Sequence, residues 1–171
     1  MAGRRKNMDK LIAVVVLILV TVILAAGETY FRLERFRAKA GILLESIDLE
    51  PWFSHVRSVF SVLPDDSQAE YLALLRDYAG TFSGADRGRV ALANQLQALA
   101  KKKLADHLDN GIAVAAAKLA TGAWLTEAQA AGMYNEEVRK LNRSLSRTLS
   151  GVIGRLFRFR PMEELRDLSL L

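Results

Sequence analysis

Residues Leu11 to Ala26, LIAVVVLILVTVILAA, form an apolar run without a single charge. As a helix the run is about 24 Å long, close to a hydrocarbon core of about 30 Å. Water is absent from that core, so every backbone group must pair within the segment. Helix is therefore the only conformation open to it. Met8 and Gly27 can lengthen the run, Lys10 can snorkel, and Tyr30 and Phe31 suit the far interface. Leu11, Val15, Leu19, Val22 and Leu24 are the expected anchor residues. A cleaved signal peptide is the rival reading, with Arg4, Arg5 and Lys6 ahead of the run and Ala25-Ala26-Gly27 after it. The helical pattern continues past Gly27, which favours an uncleaved anchor. Arg4, Arg5, Lys6 and Lys10 precede the segment and Arg32, Arg35, Arg37 and Lys39 follow it, so the cationic flanks balance and leave the side of the soluble part open.

The rest of the chain reads as helix. It has 171 residues, with only 3 prolines and 11 glycines, and almost nowhere alternates apolar and polar at period two. Tyr30, Leu33, Phe36, Ala40, Leu43 and Ile47 make one stripe that continues the membrane helix until Pro51 stops or kinks it. Trp52, Val56, Val59, Phe60 and Leu63 make the next stripe. Pro64-Asp65-Asp66 is a turn, and Ser67 with Glu70 fits a capping box that starts a helix carrying Tyr71, Leu74, Leu75 and Tyr78, with Phe82 at its end. Gly80 to Gly88 reads as a loop. Val90, Leu92, Leu96, Leu99 and Leu104 mark another helix, with an interruption at Asp109-Asn110-Gly111. The small apolar run from Ile112 to Leu125 suits close helix packing. Thr126 with Gln129 fits a second capping box, and the last helix is expected from about Glu127 to Phe157, striped by Val138, Leu141, Leu145, Leu149, Val152 and Leu156, with Lys140, Arg143 and Arg147 on the wet side. The fold class is all-α: a transmembrane helix continuing into an antiparallel bundle of four or five long helices. The expected organisation is a basic flank at 1–10, the span at 11–27, the bundle at 28–160 and a tail at 161–171.

Few residues invite chemistry. With no cysteine, disulfides, zinc–thiolate sites and thiol nucleophiles are excluded. His55 lies at helical spacing from Trp52 and suits a packed or edge position. Asp106 and Asp109 stand one and two residues from His107, and neither spacing puts a carboxylate on the helical face of that histidine. Asp65-Asp66 and Glu163-Glu164 suit turns and helix ends rather than acid–base work. No phosphate loop, nucleophile elbow or metalloprotease helix occurs, so no catalytic residue, metal or cofactor is expected, and the chain reads as a non-enzyme. The net charge of +5 is spread over several segments, without a nucleic-acid-binding module.

Asn135 and Asn142 raise a sharper question. Seven residues apart on a helix, they point nearly the same way, beside the Val138–Leu141 stripe. There they are expected to bond backbone groups of a neighbouring helix and fix its register. Tyr134, Asn135, Val138 and Asn142, followed by Leu156, Phe157 and Phe159, resemble the C-terminal signature of the LemA family of bacterial membrane proteins. The N-terminal anchor, the aromatic start at Tyr30 and the stretch SIDLEPWF also resemble that family's layout. The chain departs from it at Ala131, where the family has Arg, and at Leu149, where it has Pro. The resemblance implies a single-span protein of the bacterial cytoplasmic membrane with a helical-bundle soluble part and no agreed enzymatic activity.

The expected function is a membrane-anchored scaffold or accessory subunit. Its partners would be the bilayer and other membrane or peripheral proteins in a larger complex, with no nucleic acid or small-molecule substrate. Trp124, Arg155, Arg158 and Arg160 are the expected interaction surface, and Phe159 is expected among the exposed aromatics. The alternative is a lipid-surface module in which GRLFRFRP lays Leu156, Phe157 and Phe159 into the interface with arginines near phosphates.

Overall fold

A computed structural model describes residues 2–79 and 87–171, with side-chain surroundings described for 11–76, 88–148 and 150–171. The expected loop lies outside the described residues apart from Arg87 and Gly88, which are helical; Phe82 and the side chains of Tyr78 and Leu149 also fall outside.

The described chain is helical, without strands: α1 (Ala2–Ser46), α2 (Glu50–Ser61), α3 (Asp65–Ala79), α4 (Arg87–Ala105), α5 (Gly111–Leu145) and α6 (Thr148–Leu156). α1 is the one described helix long and apolar enough to cross a membrane. Its residues from Leu11 to Leu24 are all exposed; Leu11, Val15, Leu19, Val22 and Leu24 stand at 53–69%. Beyond Gly27 the same helix changes environment. Thr29, Leu33, Ala40 and Leu44 are buried, as is Ile47 just past its end, and Tyr30, Phe36 and Leu43 pack partly against the core. The helix ends at Ser46, and Pro51 sits in the first turn of α2, where its missing N–H is harmless.

α5 runs antiparallel to α1, since Lys39 meets Glu137 while the backbone N–H of Asp48 meets Glu127. It also packs along α2, and α3 and α4 complete the bundle. Ala113, Ala117 and Ala120 are fully buried, so the small residues of α5 do bring helices close. Trp52, Val56, Val59, Phe60 and Leu63 of α2 fill the centre.

The helix ends differ from expectation in three places. Ser67 is not a cap. α3 starts earlier, at Asp65, with the N–H of Ser67 on the Pro64 carbonyl, and the Ser67 hydroxyl is buried with no partner among the described residues. Thr126 is not a cap either. It lies mid-α5 and its hydroxyl donates to the Ala123 carbonyl one turn back. The cap that forms is Asn110, whose Oδ1 accepts from the N–H groups of Ile112 and Ala113 while its Nδ2 donates to the Val62 carbonyl. Finally, the last helix does not run to Phe157. It breaks after Leu145, and α6 folds back against that break. A Cβ on Gly151 would lie 2.7 Å from the Leu145 carbonyl oxygen, and one on Gly154 would lie 2.5 Å from Leu145 Cδ2. Two glycines in one short helix permit the fold-back.

Candidate functional site

After α6 the chain has no regular structure, yet it is not loose. Arg158 adopts a left-handed backbone with φ of 57°. The N–H of Phe159 bonds the Gly154 carbonyl and that of Arg158 the Arg155 carbonyl, the paired bonds of a Schellman ending. The chain then runs back along α5. Met162, Leu165, Leu168 and Leu170 are buried, at 8%, 2%, 0% and 4% exposure.

The tail makes no ladder of its own, so its backbone groups need other partners. The two asparagines supply them. Asn142 Nδ2 donates to the Met162 carbonyl at 2.8 Å, and the Met162 N–H returns a bond to Asn142 Oδ1 at 3.0 Å. Asn135 repeats the arrangement on Leu165, at 2.7 and 2.8 Å. A primary amide carries donor and acceptor side by side, as a backbone peptide does, so each asparagine stands in for a residue of a partner strand. The spacing follows. Seven helical residues advance about 10.5 Å, and three extended residues from Met162 to Leu165 advance about 10 Å. One asparagine every two turns of α5 therefore matches every third residue of an extended chain. The expectation that Asn135 and Asn142 bond backbone groups is correct in kind. The partner is the tail rather than a neighbouring helix, because helical backbone has its own bonds and the tail does not.

Other side chains continue the grip. Asn94 of α4 donates to the Glu164 carbonyl and the Glu163 carboxylate at 2.9 Å, and accepts from the Arg166 N–H at 2.8 Å. The Tyr134 hydroxyl donates to the Glu163 carbonyl, and the Trp52 indole N–H to the Leu168 carbonyl. The Thr121 hydroxyl oxygen accepts from the Leu170 N–H, and Gln97 donates to the Ser169 carbonyl. Asn94, Thr121 and Gln97 were not singled out from the sequence, and Trp52 was expected only as part of an apolar stripe. The available signal was the tail itself, whose apolar residues recur every third position at 162, 165 and 168.

Trp124 is a correction. It is 5% exposed rather than part of an interaction surface, and its indole N–H donates to Asp167 at 2.8 Å. The N–H of Ser169 chiefly, with the Trp124 indole further down the order, holds the Asp167 carboxyl below its ordinary range against the opposing effect of burial. Phe159 is likewise 8% exposed and packs on Tyr30, with ring centres 5.7 Å apart. Arg155, Arg158 and Arg160 are exposed, and so are Leu156 and Phe157, at 74% and 50%. Val138 is fully buried between the asparagines.

One buried carboxylate belongs to the α1–α5 seam. Glu137, 4% exposed, accepts from Lys39 at 2.8 Å and Lys140 at 3.0 Å. The Lys39 hydrogen bond leads in holding its pKa below the ordinary carboxylate value, against burial, and Lys140 adds to it. Among the described residues, no three His, Asp or Glu side chains gather as a metal site would require.

No family model, curated protein or solved structure matches the chain.

Proposed function

We propose that this chain is a LemA-like, non-enzymatic scaffold of the bacterial cytoplasmic membrane, anchored by one span and bound as an accessory subunit to another membrane or peripheral protein. The observation that carries this reading is the continuity of α1. One helix runs from an exposed apolar stretch into the core of the bundle, which couples the soluble part to its anchor without a linker. The polar residues of the family-like signature support it, because Tyr134, Asn135 and Asn142 are engaged in holding the tail.

A docking face is available on α5. Ile112, Leu119 and Met133 are 51–69% exposed and recur at multiples of seven, so they form one line on the side away from Ala113, Ala117 and Ala120. Such a stripe suits an apolar helix of a partner. Extraction of the full-length protein in mild detergent, native electrophoresis and mass spectrometry of co-migrating chains tests the reading. A partner at fixed stoichiometry, lost on Leu119→Glu with helicity retained, is the expected outcome. A lone monomer would contradict it.

A further inference from the structure

The structure brings a second element to the membrane end of the bundle. Tyr30 stands roughly 6 Å beyond Ala26 along α1, at the depth of lipid headgroups if the apolar segment spans. Its ring lies 4.8 Å from that of Phe157 and 5.7 Å from that of Phe159. The antiparallel register of α5 against α1, Glu127 beside Asp48 and Glu137 beside Lys39, carries Leu145 to the same level. α6 and the turn after it are thus placed beside the bilayer, although far from the anchor in sequence.

The surface found there is apolar and mainly cationic, with the exposed Glu28 carboxylate beside Phe31. Val152, Leu156, Phe157 and Phe31 are 50–74% exposed. Arg143, Arg147, Arg155, Arg158 and Arg160 are exposed as well, and no described carboxylate pairs with any of them. Between Glu137 and Glu163 the sequence contains no acidic residue at all. Arg139 and Lys140, nearer the middle of the bundle, are by contrast matched with Glu164, Glu136 and Glu137. Cations go unpaired only towards the membrane end of this stretch. Arg158 adds an independent sign. It occupies the left-handed position of a Schellman ending, where glycine is the usual residue, so a charged side chain stands where the backbone favours having none.

We propose that Val152, Leu156, Phe157 and Phe31, ringed by Arg155, Arg158 and Arg160, form a foot that seats the bundle on the bilayer holding its own anchor, with the arginines on anionic lipid headgroups. Apolar residues enter the headgroup boundary and guanidinium groups meet phosphates, the division of labour of an interfacial helix. The proposal rests on the reading of α1 as a span, and the test separates the two. It uses the full chain, which has no cysteine, so a single introduced one carries a nitroxide without background.

Labels at Leu19→Cys, Leu156→Cys and Leu108→Cys report the span, the foot and the loop at the far end of the bundle. The protein is reconstituted in vesicles of phosphatidylglycerol or of phosphatidylcholine, and accessibility to oxygen is compared with accessibility to a water-soluble nickel chelate. The expected result is a deep label at 19 in both lipids, an oxygen-to-nickel ratio at 156 several-fold above that at 108 in phosphatidylglycerol, and a smaller excess in phosphatidylcholine. Arg158→Gly should shrink the lipid difference while leaving the thermal midpoint of the bundle unchanged or higher. A label at 19 that is not deep overturns the span reading. A deep 19 with a 156 as wet as 108 overturns the foot alone. A ratio at 156 indifferent to lipid charge overturns the role of the arginines, and protection at 156 in native membranes but not in pure lipid assigns the foot to a protein partner instead.

Discussion

Leu11–Leu24 and Met162–Leu170 invert the usual pairing of order with burial. The first is a regular helix, exposed along its length. The second has no regular structure and is held along most of its length, with four of its side chains in the core. The cause is the backbone. A helix bonds its own N–H and C=O groups and needs no one else's, which is why it can stand in lipid. An extended segment leaves every group open, so it can be buried only where side chains imitate a partner strand. Asn94, Asn135 and Asn142 do that here. Regular secondary structure alone therefore does not show where this bundle is held together.

The contrast predicts very different responses to equal truncations. Leu168→Ala empties a fully buried site and should lower stability by about 2–5 kcal/mol, whereas Leu19→Ala, in the exposed apolar stretch of α1, should leave the urea midpoint of the bundle in detergent unchanged. Equal midpoints would break the comparison. Asn142→Leu comes next. It abolishes both bonds to Met162 and leaves that residue's N–H and C=O beside an apolar side chain, at roughly 2–3 kcal/mol. Asn142→Asp keeps the acceptor for the Met162 N–H but sets a carboxylate oxygen against the Met162 carbonyl, so the same titration should still show a loss.

Most of this was legible and some was not, for identifiable reasons. Apolar spacing located the stripes of α1, α2 and α4 because their burial is one-sided. It overran α5 because Val152 and Leu156 continue the period after Leu145 while the chain has already turned, and the turn depends on a clash-free approach of Gly151 that spacing cannot register. Ser67 and Thr126 mimic capping boxes, but a capping motif competes with whatever else the backbone can bond, and Pro64 and Ala123 won. Trp124 looked like a surface anchor for want of any sign that the tail would cover it. Asn135 and Asn142 stood out as costly residues on a buried flank, and only the tail's own geometry explains their spacing.

Gly151→Ala sharpens the account of the fold-back. The added methyl would meet the Leu145 carbonyl at 2.7 Å, so the α5–α6 junction must shift, with an expected loss of about 1–3 kcal/mol by thermal melting. Glu137 should give the smallest effect. Its carboxyl is held below its ordinary value of 4.5, so its pairing with Lys39 and Lys140 is present above that pH and is lost as pH falls through the lowered value. A titration of the urea midpoint should show a step in that acid window, and Glu137→Gln should remove it.

Amide hydrogen exchange in the full-length protein tests the central claim most directly. The N–H groups of Met162, Leu165, Arg166 and Leu170 belong to no helix or sheet, yet they bond to Asn142, Asn135, Asn94 and Thr121. They should exchange as slowly as the amides in the middle of α5. Exchange at the rate of an unstructured peptide would mean that the asparagines do not hold the tail.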